Sequence, residues 1–269
     1  MILTAEYRVQ HPTGLADFLA AQSGLAKARL KECMNKGGVW LQRGDGKLLR
    51  NRKAKTMLRP GDRVCLYYDE AILSQEPPKP LLIADHVEYS VWEKPAGLLA
   101  QGTQFGDHCS LLRLAQCAFT PQREAFLIHR LDREASGLMV IAHTKKAASS
   151  LSRIFQSHLV FKQYEITVLG LWPKVEGTIL LPLDGKEAVT AYQLLDQDLA
   201  QGASRLLITL KTGRFHQIRR HFAMSGFPVM GDPKYGSGNK NRTGLALRAV
   251  RLAFDCPVCG QYRDFRGIE

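Results

Sequence analysis

Nowhere in this chain do apolar residues continue for the roughly 20 positions that a membrane-crossing helix requires, so no such helix and no membrane partner is expected. The opening Met1-Ile2-Leu3-Thr4-Ala5-Glu6 has neither the basic start nor the apolar stretch of a secretory leader, and the reading is of a cytoplasmic protein. Six cysteines stand apart at positions 33, 65, 109, 117, 256 and 259, which suits a reduced compartment better than a disulfide framework. Only Cys256-Pro257-Val258-Cys259-Gly260 has metal-ligand spacing. No second Cys-x-x-Cys or His-x-x-x-His completes the four ligands of a structural zinc, so a turn is expected there. Internal repeats, low-complexity tracts and the glycine patterns that cradle a dinucleotide or triphosphate are missing too. No metal, nucleotide or redox cofactor is therefore expected.

Acidic residues are also in deficit. There are 25 Asp and Glu against 37 Lys and Arg, a net charge of +12 and a pI near 9.5, which points to a polyanionic partner. Residues 1–70 hold 13 basic against 7 acidic side chains, so half of the excess sits in about a quarter of the chain. Composition is otherwise ordinary, and 269 residues suffice for one large domain with a small companion.

The N-terminal part reads as a small α/β module over residues 1–72. Leu15, Phe18 and Leu19 have helical spacing, and a basic helix follows from Leu25 to Met34, with Leu25, Ala28 and Met34 inward and Lys27, Arg29 and Lys31 outward. Gly37-Gly38 stops that helix and Val39-Trp40-Leu41 opens a hairpin. Pro60-Gly61-Asp62 turns into the strand Arg63–Tyr68. Residues 73–81, with prolines at 77, 78 and 80, read as a stiff linker. From residue 82 to 269, strands and helices mix without strict alternation, which argues for an α/β domain of the α+β type, a mixed, largely antiparallel sheet with flanking helices.

Within that larger part, Phe126-Leu127-Ile128 leads into His129-Arg130-Leu131-Asp132-Arg133-Glu134-Ala135-Ser136-Gly137, and Leu138–Ala142 leads out. A charged turn between two apolar strands needs its charges paired. If extended, Arg130 and Asp132 project to one side, either as a structural ion pair or as a pair of chemical groups at a strand end. Thr144 suits the N-cap of a helix running to His158, with Lys145, Lys146 and Arg153 on its wet face. Tyr164 alternates with Ile166 and Val168, as a core tyrosine or a site residue would. Ser204–Lys211 reads as a strand and Phe215–Ser225 as a helix. At 100° per residue Phe215, Ile218 and Phe222 form an apolar stripe that contains Arg219, while Arg220 points away. A guanidinium on a core-facing stripe requires a carboxylate, and Asp132 is the evident candidate.

These motifs resemble the RluA-type pseudouridine synthases, in four stretches and in the family's order. Val91–Leu98 is similar to the Lys-Pro-x-Gly segment, His129–Asp132 to the His-Arg-Leu-Asp motif, Phe161–Tyr164 to the Lys-x-Tyr strand, and Gly213–His221 with Gly226–Gly236 to the C-terminal signature. The likeness spans roughly residues 82–255. It departs at Cys256 and Cys259, where the family commonly reads His-Pro-x-Thr-Gly. The N-terminal helix, hairpin and Pro-Gly-Asp turn resemble the S-four-like RNA-binding module, with Gln42–Lys47 in place of its usual asparagine-glycine turn.

The resemblance implies an isomerase that turns uridines of ribosomal or transfer RNA into pseudouridine after flipping them out, without a cofactor. It implies Asp132 as nucleophile, Arg219 as the partner that keeps it ionised, and Tyr164 stacked on the base. Arg130, Ile218, His129, Lys94, Arg214 and Arg220 are implied on the substrate side, although His129 and His216 also suit packing and Arg214, Arg220 and Lys234 suit phosphates or solvent. Glu134 remains an alternative acid. RNA is the expected partner, DNA is not, and nothing demands more than a monomer. Two rivals share the pattern: a non-catalytic RNA-binding or ribosome-assembly protein, and a glycosidic hydrolase, which would need a second carboxylate.

Overall fold

A computed structural model describes residues 1–236 and 244–268, and the chain divides into two compact units. The first comprises Met1–Pro77 with Gln101–Leu114; the second comprises Pro78–Ala100 with Ala115–Glu269. The return of 101–114 to the first unit was not legible in the sequence, where residue 82 onward read as one piece. Its ties are polar: the Trp40 indole donates to the Gln104 carbonyl at 3.0 Å, Asp107 N–H donates to the Lys36 carbonyl at 2.9 Å, and Arg52 pairs with Asp107.

The first unit runs β1 (Ile2–Arg8), β2 (Thr13–Gly14), α1 (Leu15–Ser23), α2 (Lys27–Lys36), β3 (Val39–Gln42), β4 (Leu49–Arg50), β5 (Met57–Leu58), β6 (Arg63–Asp69) and α3 (Glu70–Leu73). An antiparallel sheet ordered β1-β6-β3-β4 packs on α1 and α2 around Leu15, Leu19, Leu30, Met34, Val39 and Leu66. Gly37 ends α2 in the left-handed region at φ 86°, donating its N–H back to Met34. The buried side of α2 is Leu30, Cys33 and Met34, and Leu25 packs against the same core; of the expected inward residues Ala28 alone is exposed, a correction to its place. The helix begins at Lys27, two residues later than its hydrophobic spacing suggested.

Helix α4 (Leu111–Cys117) is divided between the units after Leu114, and the second unit otherwise contains β7 (Leu81–Asp85), β8 (Tyr89–Lys94), β9 (Phe126–Leu127), β10 (Ser136–Ala142), α5 (Lys145–Gln156), β11 (Phe161–Leu169), β12 (Glu176–Ile179), β13 (Thr190–Asp198), β14 (Ala203–Leu210), α6 (Gln217–Met224), β15 (Leu247–Asp255) and β16 (Tyr262–Arg266). Ten strands form one sheet ordered β12-β13-β14-β11-β15-β10-β8-β7, with β16 on β15 and β9 on β10. Among the described residues only β10 and β15 pair in parallel, so the sheet is mixed and largely antiparallel, as expected from the sequence.

Residues 137–142 of β10 are buried on both faces, which is why that stretch reads as a continuous apolar run rather than an alternating one. Thr144 caps α5 by accepting from Ala147 N–H at 3.1 Å; Ala147, Leu151 and Phe155 turn inward and Lys145, Lys146 and Arg153 stay exposed. The Cys256–Cys259 segment is the turn between β15 and β16, and both thiols are free.

Helix α6 begins at Gln217, not Phe215. His216 takes φ 51°, the left-handed region, and breaks the spiral just before it. Phe215 therefore leaves the apolar stripe and is 58% exposed, a correction to its expected place beside Ile218 and Phe222.

Candidate active site

The loop 128–135 is held at both ends by groups that the chain keeps uncharged or fully bonded. At its start the His129 ring stacks on Phe155 at 4.3 Å, and its Nε2 accepts the Val140 N–H at 3.0 Å. Burial, then the Lys162 charge, push the His129 imidazole down to about 3, so it is neutral and Nδ1 carries its proton. At the other end Lys94, wholly buried, donates to the carbonyls of Pro95 (3.0 Å), Leu98 (2.8 Å) and Arg133 (3.2 Å). All three ammonium protons are thereby used. Lys94 belongs under the loop, not among substrate contacts, and burial lowers its pKa to about 8 despite the charges of Glu134 and Asp132. Gly97 N–H closes the anchor by donating to the Arg133 carbonyl at 2.8 Å.

Asp132 projects from this loop toward α6. Its Oδ2 accepts from Arg219 Nη1 at 2.7 Å, the partnership that the helical stripe demanded. Arg219 is 2% exposed, and it is bound more tightly to a second acid that sequence reasoning did not assign: Asp232 receives Nε at 2.8 Å and Nη2 at 2.9 Å. Asp232 also accepts the N–H groups of Lys234 and Tyr235. Burial opposes the charge on both members, but their mutual hydrogen bonds win: the Arg219 guanidinium is raised above its ordinary value, and the Asp232 carboxyl is lowered below its own. The fork of Arg219 thus grips Asp232 and extends one Nη toward Asp132.

The N-terminus of α6 is fixed by Gln217, which was also missed. Its carbonyl accepts from Thr212 Oγ1 and Arg214 N–H, both at 2.9 Å, and its amide donates to the Val189 carbonyl and Thr190 Oγ1. His216 lies beside Asp132 and Arg219. Its Nε2 is 3.3 Å from Arg219 Nη1 and 3.4 Å from Asp132 Oδ1, and its Nδ1 is 3.1 Å from the Tyr235 hydroxyl. Burial lowers its pKa against the pull of Asp132, which makes it a neutral acceptor for Arg219.

A cavity of about 420 Å³, open to solvent, is lined by Arg130, Asp132, Tyr164, Arg214, Ile218 and Arg219 among others. Tyr164 is 8% exposed and shares its face of β11 with Ile166 and Val168. Burial, then the Asp132 charge, push its hydroxyl up to about 12, so it keeps its proton. Arg130 is exposed and forms no ion pair among the described residues. Arg214 lines the cavity while its Nε donates to the Glu187 carbonyl at 2.9 Å. Arg220 does not reach the cavity: both its Nη atoms are bonded to Asp184, at 2.8 and 2.9 Å, which corrects its expected place with the substrate contacts. Among the described residues Asp132 is the one carboxylate that lines the cavity; Glu134 does not.

The ten-stranded mixed sheet is that of solved pseudouridylate synthases. The human RNA pseudouridylate synthase domain containing 1 superposes with a TM-score of 0.62 at 23% identity, covering 72% of this chain and 86% of that one. In sequence, the family described as RNA pseudouridylate synthase matches residues 88–224. An RNA pseudouridine synthase of Aquifex aeolicus is 31% identical over 97% of this chain and 92% of its own length. The dual-specificity RNA pseudouridine synthase RluA of Escherichia coli O157:H7 is 32% identical over 68% of this chain and 89% of its own length. The chain belongs to the RNA pseudouridine synthase family; it is an isomerase whose substrate is RNA.

Proposed function

We propose that this chain isomerises selected uridines of ribosomal or transfer RNA, with Asp132 as the nucleophile. The observation that carries this reading is the Asp132 carboxylate, alone in the cavity among the described residues and held by Arg219 at 2.7 Å. Cleaving and remaking a glycosidic bond on one sugar requires one ionised carboxylate and a pocket that retains the detached base. A two-carboxylate hydrolysis would require a second acid there. In the isomerisation the bond from C1′ to N1 breaks and one from C1′ to C5 forms. C5 gives up its proton and N1 gains one, so composition and oxidation state are unchanged and no cofactor is invoked.

A stacked uridine cannot reach Asp132 and must be everted at a cost of a few kcal/mol. Tyr164 is the aromatic floor on which the base lies, and its protonated hydroxyl is a donor rather than a base at neutral pH. Ile218 closes the apolar side. Arg130, exposed at the rim, occupies the space the base vacates or holds its neighbours, and Arg214 meets phosphate. The first unit serves as an S-four-like RNA-binding module, and its presence favours ribosomal RNA. The enzyme acts as a cytoplasmic monomer.

Tritium release from carbon-5-labelled uridine in RNA tests the assignment. Asp132→Asn is expected to lose at least about 10⁴-fold in turnover, with RNA binding retained in a gel-shift assay. Retained turnover would remove Asp132 from the mechanism, and free uracil among the products would favour a hydrolase.

A further inference from the structure

Alternation along β11 sends Lys162 to the same side as Tyr164, one pleat away, or about 7 Å by strand rise. Lys162 is as buried as Tyr164, at 8% exposure. Lys162 lines a second opening of about 1300 Å³, which shares Arg130, Asp132, Tyr164, Arg214 and His216 with the cavity and is thus continuous with it. Two other buried cations of this unit, Lys94 and Arg219, are satisfied. Lys94 has three carbonyls, and Arg219 has Asp232 and Asp132. Lys162 has neither a carboxylate nor a hydrogen-bond acceptor among the described residues, and burial lowers its pKa with no acid to restore it. An enclosed charge without a partner is unfavourable unless something from outside supplies the counter-charge. The opening that Lys162 faces has room for it, and Arg130 and Arg214, which line it too, add positive charge. The acid in reach of that opening, Asp132, is already engaged by Arg219.

We propose that Lys162 seats a backbone phosphate of the RNA strand beside the everted uridine, and that it positions this nucleotide over Tyr164 and Asp132 without taking part in bond making. The proposal rests on the reading of the cavity as a uridine site. The separation of Lys162 from Tyr164 is on the scale of one nucleotide, from base to backbone, so a base on the tyrosine brings its own or its neighbour's phosphate to the ammonium. A phosphate there restores the charge that burial disfavours and fixes the strand's register, as phosphate contacts do elsewhere.

The test uses the full chain and an RNA that it modifies, made with single neutral methylphosphonate linkages at successive positions around the target uridine. Wild-type tritium release on the unmodified RNA is measured first; if there is none, the uridine-site reading fails and this proposal falls with it. Given turnover, one flanking methylphosphonate is expected to raise the wild-type KM on the order of tenfold, the loss falling in KM rather than kcat. Lys162→Met is expected to show the same KM increase with unmodified RNA, no further increase with that methylphosphonate, and a salt slope of binding reduced by about 0.7 to 1. Lys162→Arg should recover part of the loss. The free Lys162→Met protein should melt higher than wild type, because an unpaired enclosed cation has been removed. A methylphosphonate scan that affects wild type and Lys162→Met alike, or an unchanged KM in Lys162→Met together with a lower melting temperature, would overturn the assignment in favour of a structural lysine. Lys162→Gln, read by the same scan, replaces Lys162→Met should the latter fail to fold.

Discussion

Arg219 can be fully buried because two acids meet its guanidinium. Asp232, with no exposed side-chain surface, takes two of its nitrogens, and Asp132 takes the third. Removing the guanidinium leaves Asp232 enclosed and charged. Arg219→Ala is expected to cost roughly 3–5 kcal/mol of stability, seen as a lowered melting temperature, along with loss of turnover. Arg219→Ala combined with Asp232→Asn should lose less stability than the sum of the two changes, because each already breaks the same pair. An unchanged melting temperature in Arg219→Ala would show that the pair contributes nothing. The Asp132 partnership was legible, since a 100° rotation per residue places Arg219 among apolar neighbours. Asp232 was not, because it sits in an irregular segment beyond the helix, where no periodicity indicates direction.

His129 makes the fold sensitive to acid. Its folded pKa, about 3, lies below the ordinary value near 6.5, so between these limits the unfolded chain binds a proton that the folded chain refuses. Its contribution is complete above about pH 6.5 and declines as pH falls toward 3. His129→Gln should therefore show a shallower fall of melting temperature over that window. A slope equal to that of wild type would mean that the ring is protonated within the fold.

At the scale of elements, the parallel pairing of β10 with β15 covers only Ser136–Arg248 and Gly137–Ala249, yet it brings the strand that follows Asp132 against the strand beside Tyr164. Gly137 allows it. Its φ is 112°, and a β-carbon there would meet the Ala249 backbone at 2.3 Å. Gly137→Ala is expected to destabilise by at least about 3 kcal/mol, read by denaturant midpoint, because neither backbone can retreat within a sheet. Near-wild-type stability would mean that the two strands pack loosely there. The apolar runs that became β10 and β11 were legible from period and burial. The true start of α6 was not: Phe215 has helical spacing, but the left-handed turn at His216 is set by Gln217 bonds to residues 189, 190, 212 and 214.

For the whole molecule, net charge pointed correctly to RNA but not to the surface that carries it. On α2, Lys27 pairs with Asp17, Arg29 with Glu32 and Glu70, and Lys36 with Glu32, so most of that helix's charge is answered within its own unit. Lys47, Lys53, Lys55 and Arg59 are exposed without ion pairs among the described residues. With the first unit read as an RNA-binding module, Lys47→Gln, Lys53→Gln and Lys55→Gln together should lower the salt slope of RNA binding by about 0.7–0.9 for each phosphate that is no longer neutralised, measured by titration at several salt concentrations. The change Lys27→Gln should leave the slope unaltered. Equal effects would mean that α2 is the RNA-facing surface after all.

What the chain declared before folding was everything that depends on local order. Its motifs and their sequence identified a uridine-isomerising family, its periodicities located most strands and helices, and one arginine on an apolar stripe announced a carboxylate. Only the folded arrangement decided that Asp232 anchors that arginine, that Lys94 serves the loop and Arg220 an outer acid, and that Lys162 faces an opening with no counter-charge. Those outcomes depend on which groups meet across distant strands, and burial is a property of such meetings rather than of any residue's neighbours in sequence.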